Sequence, residues 1–233
     1  MPARQPLLLM PGLLCDDALW RHQLDTLADV AEIAVTDMTR DDDIDAMARR
    51  ALDAAPDRFA LCGLSMGGYA AQAVMRLAPE RVTRLALLDT ASGADTPERS
   101  AARRELMARA AADDLESVID HHMPTLIAED RQDDAELTTA VRASARNVGA
   151  DAYRRQQTAI INRPDNRANL SRIACPTLVL CGRQDVLTPP TVHEEMASAI
   201  PGAKLVIVEN CGHLSPLERP EAVSAVLRYW LAG

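Results

Sequence analysis

Lysine is almost missing from this chain. Lys204 is its single lysine, and the remaining basic side chains are arginines. With 34 acidic against 25 basic residues, the formal net charge is −9 and the pI is near 5.0. A nucleic-acid partner would call for a basic face, so the charge balance argues against one. Aromatic side chains are scarce, at 3% of the chain, which leaves few rings to line a stacking pocket. Long apolar runs are lacking as well. Leu7-Leu8-Leu9-Met10 is far too short for a signal core or a membrane span and is ended by Pro11-Gly12, so neither a secretory signal nor a membrane anchor is expected. The five cysteines (Cys15, Cys62, Cys175, Cys181, Cys211) are odd in number, and most fall in or beside predicted buried strands. That pattern suits reduced thiols in a cytoplasm better than a disulfide framework. No internal repeat or low-complexity linker divides the chain, and 233 residues at 48% hydrophobic content suffice for one sizeable domain.

What is present is an alternation of short apolar runs with amphipathic stretches. Residues 6–10, 32–38, 58–62, 84–89, 176–181 and 204–208 read as strands, and helical patterns run through about 17–29, 43–55, 66–78, 191–199 and 219–231. Strands alternating with helices imply an α/β fold with a mostly parallel central sheet flanked by helices. The stretch between the strand ending at Asp89 and the one opening at Pro176 has no convincing strand and is too long for a plain connection. Its apolar residues recur at helical spacing: Leu106, Ala110, Leu115, Val118 and Ile119 on one face, Leu137, Val141 and Val148 on another. The reading is one domain over 1–233, with a core of 1–92 and 171–233 and a helical insertion of about 93–170. The acidic run Asp41-Asp42-Asp43 precedes a helical pattern, where the helix dipole favours negative charge.

The most informative stretch is Gly63-Leu64-Ser65-Met66-Gly67, straight after the apolar run Phe59-Ala60-Leu61-Cys62 and before the alanine-rich Gly68–Leu77. Glycines two residues to either side of a serine fit a strand-to-helix turn too tight for side chains at 63 or 67, which holds the hydroxyl at the tip. A nucleophilic serine needs a base, and the base an orienting carboxylate. Asp185 lies in Gly182-Arg183-Gln184-Asp185, just past the strand opened by Pro176. His213 lies in Cys211-Gly212-His213, just past the strand Lys204–Val208. In open parallel sheets the reactive crevice lies at the carboxyl ends of strands, where all three residues fall.

Together with Pro11-Gly12-Leu13-Leu14 and the strand Leu85–Asp89, these motifs resemble the α/β-hydrolase superfamily in order and spacing over nearly the whole chain. The family commonly carries His-Gly at the first loop, where this chain has Pro11-Gly12. The resemblance implies the α/β-hydrolase fold with a helical cap over Ser65, and a serine hydrolase with the triad Ser65, Asp185 and His213. The elbow supplies one oxyanion donor, the backbone N–H of Met66; by resemblance the second is the N–H of Leu13. No cofactor and no metal is implied. The expected substrate is a small or medium carboxylic ester cleaved through an acyl-enzyme on Ser65. Lactone, thioester or C–C bond cleavage on the same triad remains open, as does a ligand-binding or signalling protein retaining the fold. Few aromatic residues imply an aliphatic pocket of leucine, isoleucine, methionine and alanine.

Other residues invite a role. Trp20 either walls the pocket near the oxyanion loop or packs a helix. His121-His122 reads as a solvated face of the cap, since adjacent histidines on a helix point in different directions and no ligand spacing supports a metal. His193-Glu194-Glu195 lacks the second histidine of a zinc-protease helix. Cys211 reads as a packed thiol near the site, and Asp89 as a distant second choice for the triad acid. Arg154, Gln157, Arg163 and Asp165 either touch substrate or lie on the solvated surface, the latter being the preferred reading.

Overall fold

The computed structural model describes residues 4–112 and 114–233; residues 1–3 of the expected core and residue 113 of the expected insertion lie outside the described residues. Among the described residues the strands are β1 (Gln5–Met10), β2 (Ala31–Val35), β3 (Phe59–Leu64), β4 (Val82–Leu88), β5 (Thr177–Gly182) and β6 (Lys204–Val208). They form one sheet of order β2-β1-β3-β4-β5-β6, with every neighbouring pair parallel. The helices are α1 (Arg21–Thr26), α2 (Ile44–Ala54), α3 (Met66–Leu77), α4 (Pro97–Ala111), α5 (Leu115–Leu126), α6 (Ala135–Asn162), α7 (Pro190–Ala199), α8 (Ser215–Glu218) and α9 (Pro220–Ala232). None of the helices is long and apolar enough to cross a membrane.

Successive side chains of a strand point to opposite faces, and the apolar residues divide accordingly. Leu7, Leu9, Cys62, Leu64, Ala86, Leu88 and Leu180 share one cluster with Leu27, Val223 and Leu227 beside α1 and on α9. Leu8, Met10, Phe59, Leu61, Leu85, Leu87 and Val179 share the other with Met47, Ala70, Val74 and Met196 of α2, α3 and α7. The strand order explains this division. The chain steps from β1 outward to β2 and then back past β1 to β3, so right-handed crossovers place α1 and α2 on opposite faces. The carboxyl ends of β1 and β3 diverge at that reversal, which is where an open sheet forms its crevice.

Local chemistry sets the element ends. Asp43 caps α2 by accepting from the Ala46 N–H at 2.8 Å, so the acidic run lies at a helix N-terminus as its composition suggests. The helix expected over 17–29 is instead a 3-10 turn, Asp17–Trp20, leading into the short α1. Asp16 caps that turn by accepting from the Ala18 N–H at 3.1 Å, which fixes a tighter start than helical periodicity suggests. β2 stops at Val35 rather than 38, while β3 runs on to Leu64 and delivers Ser65 straight from the sheet.

The segment between β4 and β5 is the expected helical insertion. Thr96, Asp114 and Asp134 cap α4, α5 and α6. Leu106, Ala110, Val118, Ile119, Leu137 and Val141 are buried in the cluster that also covers one sheet face, so the insertion shares a core with the body. α6 is bent at Gly149, whose φ of 78° and ψ of 167° are accessible essentially to glycine alone.

Candidate active site

Ser65 occupies a backbone conformation that only a constrained turn maintains, with φ 53° and ψ −115°. The two motif glycines are dictated by close approach. A Cβ at 63 would lie 2.3 Å from the Gly67 carbonyl oxygen, and one at 67 would lie 2.1 Å from that of Met10. The turn is pinned from several sides. The Ser65 N–H donates to the Leu88 carbonyl at 3.0 Å, and its own carbonyl accepts from the Gly68 N–H at 2.9 Å and the Thr90 hydroxyl at 2.7 Å. Thr90 is fixed in turn by its N–H donating to Nε2 of the buried His193 at 3.0 Å. Burial pushes the His193 imidazole down to about 4, which keeps Nε2 an acceptor at neutral pH. His193 therefore braces the elbow, a role that its Glu-Glu neighbours in sequence do not disclose.

The structure brings Ser65, His213 and Asp185 together. His213 Nε2 lies 2.9 Å from Ser65 Oγ, and its Nδ1 lies 2.8 Å from Asp185 Oδ2. Asp185 also accepts from the Leu187 and Thr188 N–H groups at 2.9 and 3.0 Å and from the Thr188 hydroxyl at 2.7 Å. Burial alone would push the Asp185 carboxyl up; the His213 charge and hydrogen bond, with the Thr188 donors, outweigh it and hold the group below the ordinary carboxylate range. Burial would likewise push His213 down, but the Asp185 charge and hydrogen bond, then Asp89, raise it above an ordinary imidazole. The result is a neutral-to-cationic imidazole aimed at a hydroxyl and backed by a firmly ionised acid.

The His213 loop has its own mount. The buried Glu218 carboxylate accepts from the N–H groups of Gly212 at 3.0 Å, Leu214 at 3.2 Å and Ala128 at 2.9 Å. The His213 N–H donates to the Leu126 carbonyl at 3.2 Å, so the end of α5 and the residues after it hold this loop on the insertion side. Asp89 is buried beside the triad, accepting from the Gly182 N–H at 3.0 Å and from the Ser215 hydroxyl. Burial, then the Asp185 charge, pushes its carboxyl well up. Asp89 thus ties β5 to the His213 loop, while Asp185 is the acid on the imidazole. Cys211 is fully buried, and burial followed by the Asp89 charge pushes its thiol up, away from a reactive thiolate.

The Gly12-Leu13-Leu14 loop passes so close to the elbow that a Cβ on Gly12 would lie 3.3 Å from Ser65 Cβ. Leu14 has φ 58°, and this turn is clamped by α6. The Leu14 N–H donates to Gln156 Oε1 at 3.1 Å, and Gln156 Nε2 donates to the Met38 carbonyl at 3.1 Å. The Ser144 hydroxyl donates to Asp16 Oδ1 at 2.8 Å while accepting from the Asp16 N–H at 2.9 Å, with the Leu14 carbonyl 3.3 Å away. The Leu13 N–H donates to no acceptor among the described residues. Met66, first residue of α3, has no residue of its own helix to donate to. Of the two readings of Trp20 the packing one fits: it is fully buried in the core and absent from the cavity lining.

A cavity of about 240 Å³ opens above Ser65 and His213, with Leu13, Leu64, Leu106, Leu126, Ile160 and Leu187 among its walls. The wall is aliphatic as composition suggests, but no methionine lines it and polar groups do. His121 and His122 both line the cavity; His121 is solvent-exposed, as a solvated cap face implies, while His122 is partly buried, with Nε2 3.1 Å from the Tyr153 hydroxyl. Gln157 and Arg163 are buried rather than superficial: Gln157 accepts from Arg103 at 2.8 Å, and Arg163 pairs with Asp95 at 3.0 Å. Arg154 is half exposed near Asp151, and Asp165 pairs with Arg167. Among the described residues no histidine, cysteine or carboxylate cluster could hold a metal ion.

A parallel sheet with a serine elbow at its switch point, a histidine and an acid on later loops and a helical insertion after β4 defines a hydrolase of the α/β type. The sequence matches the alpha/beta hydrolase family over residues 8–226, and the chain belongs to that family. It is similar to pimeloyl-[acyl-carrier protein] methyl ester esterase of Nitrosomonas europaea, 27% identical over 230 residues that span 92% of this chain and 91% of that protein. Among solved structures, a thermophilic esterase from Thermogutta terrifontis superposes with a TM-score of 0.90 at 29% identity, covering 98% of this chain and 89% of the other. The enol-lactonase of Burkholderia xenovorans LB400 shares the fold at a TM-score of 0.88 and 23% identity, covering 99% and 92%.

Proposed function

We propose that the protein is a serine hydrolase that cleaves a small or medium carboxylic ester through an acyl-enzyme on Ser65. The observation that carries this reading is the hydrogen-bonded line Ser65 Oγ–His213–Asp185, with spacings of 2.9 and 2.8 Å, at the floor of an aliphatic cavity. The esterases among its relatives support it. In this reading the core, 1–92 and 171–233, supplies the reacting groups, and the insertion of about 93–170 covers them. His213 Nε2 takes the Ser65 proton as Oγ attacks the ester carbonyl carbon. The carbonyl oxygen becomes an oxyanion that the Leu13 and Met66 N–H groups stabilise; each such donor is worth about 2.7–4 kcal/mol of barrier. His213 then returns the proton to the departing alcohol. A water deprotonated by His213 attacks the acyl carbon, and His213 passes that proton to Ser65 Oγ as the acid departs. No cofactor, metal or nucleic-acid partner is invoked. The five cysteines, all without disulfide partners, fit a reducing compartment such as the cytoplasm.

The test is steady-state hydrolysis of a chain-length series of nitrophenyl esters, with Ser65→Ala as the control. The expected outcome is turnover with a chain-length optimum that disappears in the alanine variant. Turnover that survives Ser65→Ala refutes the assignment of the nucleophile. A folded protein that cleaves none of the esters but acts on lactones or thioesters relocates the chemistry on the same triad. Inactivity toward all of them points to a binding role.

A further inference from the structure

The chain is acidic overall, with a net charge of −9, yet none of the residues lining the Ser65 cavity is acidic, and Arg99, Arg103, His121 and His122 all line it. Arg99 and Arg103 are four residues apart on α4 and therefore share a helix face. A guanidinium is a cation that carboxylates recognise in a fixed fork geometry. We propose that this cavity binds substrates carrying a carboxylate at the end remote from the scissile ester, and that Arg99 and Arg103 receive that carboxylate.

Arg103 is built for the task rather than merely present. Its Nε donates to Asp95 Oδ2 at 3.1 Å and its Nη1 to Gln157 Oε1 at 2.8 Å, which fixes the plane of the fork. Nη2 donates to no acceptor among the described residues. The Asp95 side chain is fully buried and shared with Arg163, whose Nη1 lies 3.0 Å from Oδ1. One carboxylate thus faces two guanidiniums, which leaves a net positive charge at the cavity wall. Arg163 is held over the Tyr69 ring, 4.4 Å from its centroid, and that ring also lines the cavity. Arg99 is exposed, with no carboxylate oxygen within 4 Å among the described residues, so it offers its whole fork. The surroundings of His122 agree. Burial first, then the nearby charges of His121 and Arg103, push its imidazole down to about 4. An Arg fork pairs a carboxylate in two parallel hydrogen bonds, which gives orientation as well as attraction. Binding energy from such a remote group can be used to place the ester against Ser65.

Which end of the substrate reacts rests on the hydrolase reading above; the anion site itself does not, and the two are tested separately. The first arm compares kcat/KM for monomethyl esters of straight-chain dicarboxylic acids with the methyl esters of monocarboxylic acids of equal length. It uses the parent, Arg99→Gln, Arg103→Gln and the double variant. The parent is expected to favour the acid-ended ester at least tenfold at its best length, and each single variant to cut that ratio several-fold, mainly through KM. The second arm needs no catalysis. The free dicarboxylic acids should raise the Tm of Ser65→Ala more than monocarboxylic acids do, and Arg99→Gln, an exposed change that breaks no ion pair, should shrink the shift. Preference for neutral esters at every length, or a preference and Tm shift that persist in the double variant, overturns the proposal while leaving ester hydrolysis intact. Absence of all turnover with a retained, arginine-dependent Tm shift would refute the hydrolase reading and uphold the anion site.

Discussion

At the residue scale, the decisive relation is between His213 and the acid behind it. In the proposed mechanism His213 must be neutral to accept the Ser65 proton, and Asp185 raises its pKa above an ordinary imidazole. kcat/KM should therefore fall as the pH drops through a midpoint above that of free histidine, about 6.5. Asp185→Asn removes the charge that raises His213 while burial remains, so the acid limb should move to lower pH. The tautomer is also no longer enforced, and kcat should fall about 10⁴-fold. A pH–rate profile of both proteins on one nitrophenyl ester checks both outcomes. The three residues of this line are legible in the sequence because each stands at the end of a strand pattern with a tell-tale neighbour: glycines around Ser65, Gly182 before Asp185, Gly212 before His213. Thr188 is not, since a threonine before two prolines carries no mark that its hydroxyl will reach Asp185. Arg103 is hidden for a related reason. In an arginine-rich helical stretch nothing distinguishes the guanidinium that turns inward from those that face water.

At the element scale, the loops matter through what anchors them. Glu218 gathers three backbone N–H groups on either side of His213 and after α5, and burial, against the pull of those donors, pushes its carboxyl up. Glu218→Gln keeps the size but turns one acceptor into a donor facing an N–H. It should cost about 1–3 kcal/mol of stability, measured by urea unfolding. If Glu218 acts as a positioning residue, kcat should drop more than KM rises, because the misplaced group is the base rather than the pocket. A purely structural role would lower the unfolding midpoint with kcat unchanged. The strands and most of the flanking helices are readable from apolar runs and alternation. The start of α1 is not, because capping by Asp16 outweighs periodicity over so short a span.

At the scale of the whole molecule, α6 reaches the Gly12-Leu13-Leu14 loop from both sides of its bend. Ser144 precedes Gly149 and holds the turn at Asp16, and Gln156 follows Gly149 and holds it at Leu14. A side chain at 149 has room, since no atom lies within 4 Å of where its Cβ would stand, but not the backbone freedom. Gly149→Ala should therefore cost about 1–3 kcal/mol through strain alone, read from the thermal or urea midpoint. It should also lower kcat on esters if the bend sets the Leu13 donor. The existence of the helical insertion is evident from the length of the stretch without strands. Its grip on both reactive loops is not, because the gripping groups are a serine, a glutamine and main-chain atoms scattered through a generic helical composition.

That grip has a consequence for how a substrate gets in. Swinging α4–α6 away as a rigid flap would tear Gln156 and Ser144 from the Leu14 turn and Leu126 and Ala128 from the His213 turn. The proposed oxyanion donor and base would be disarmed at every opening. Traffic must pass instead between side chains at the rim, and a roof transplanted from another hydrolase would bring its own specificity only if it also brought those four points of attachment.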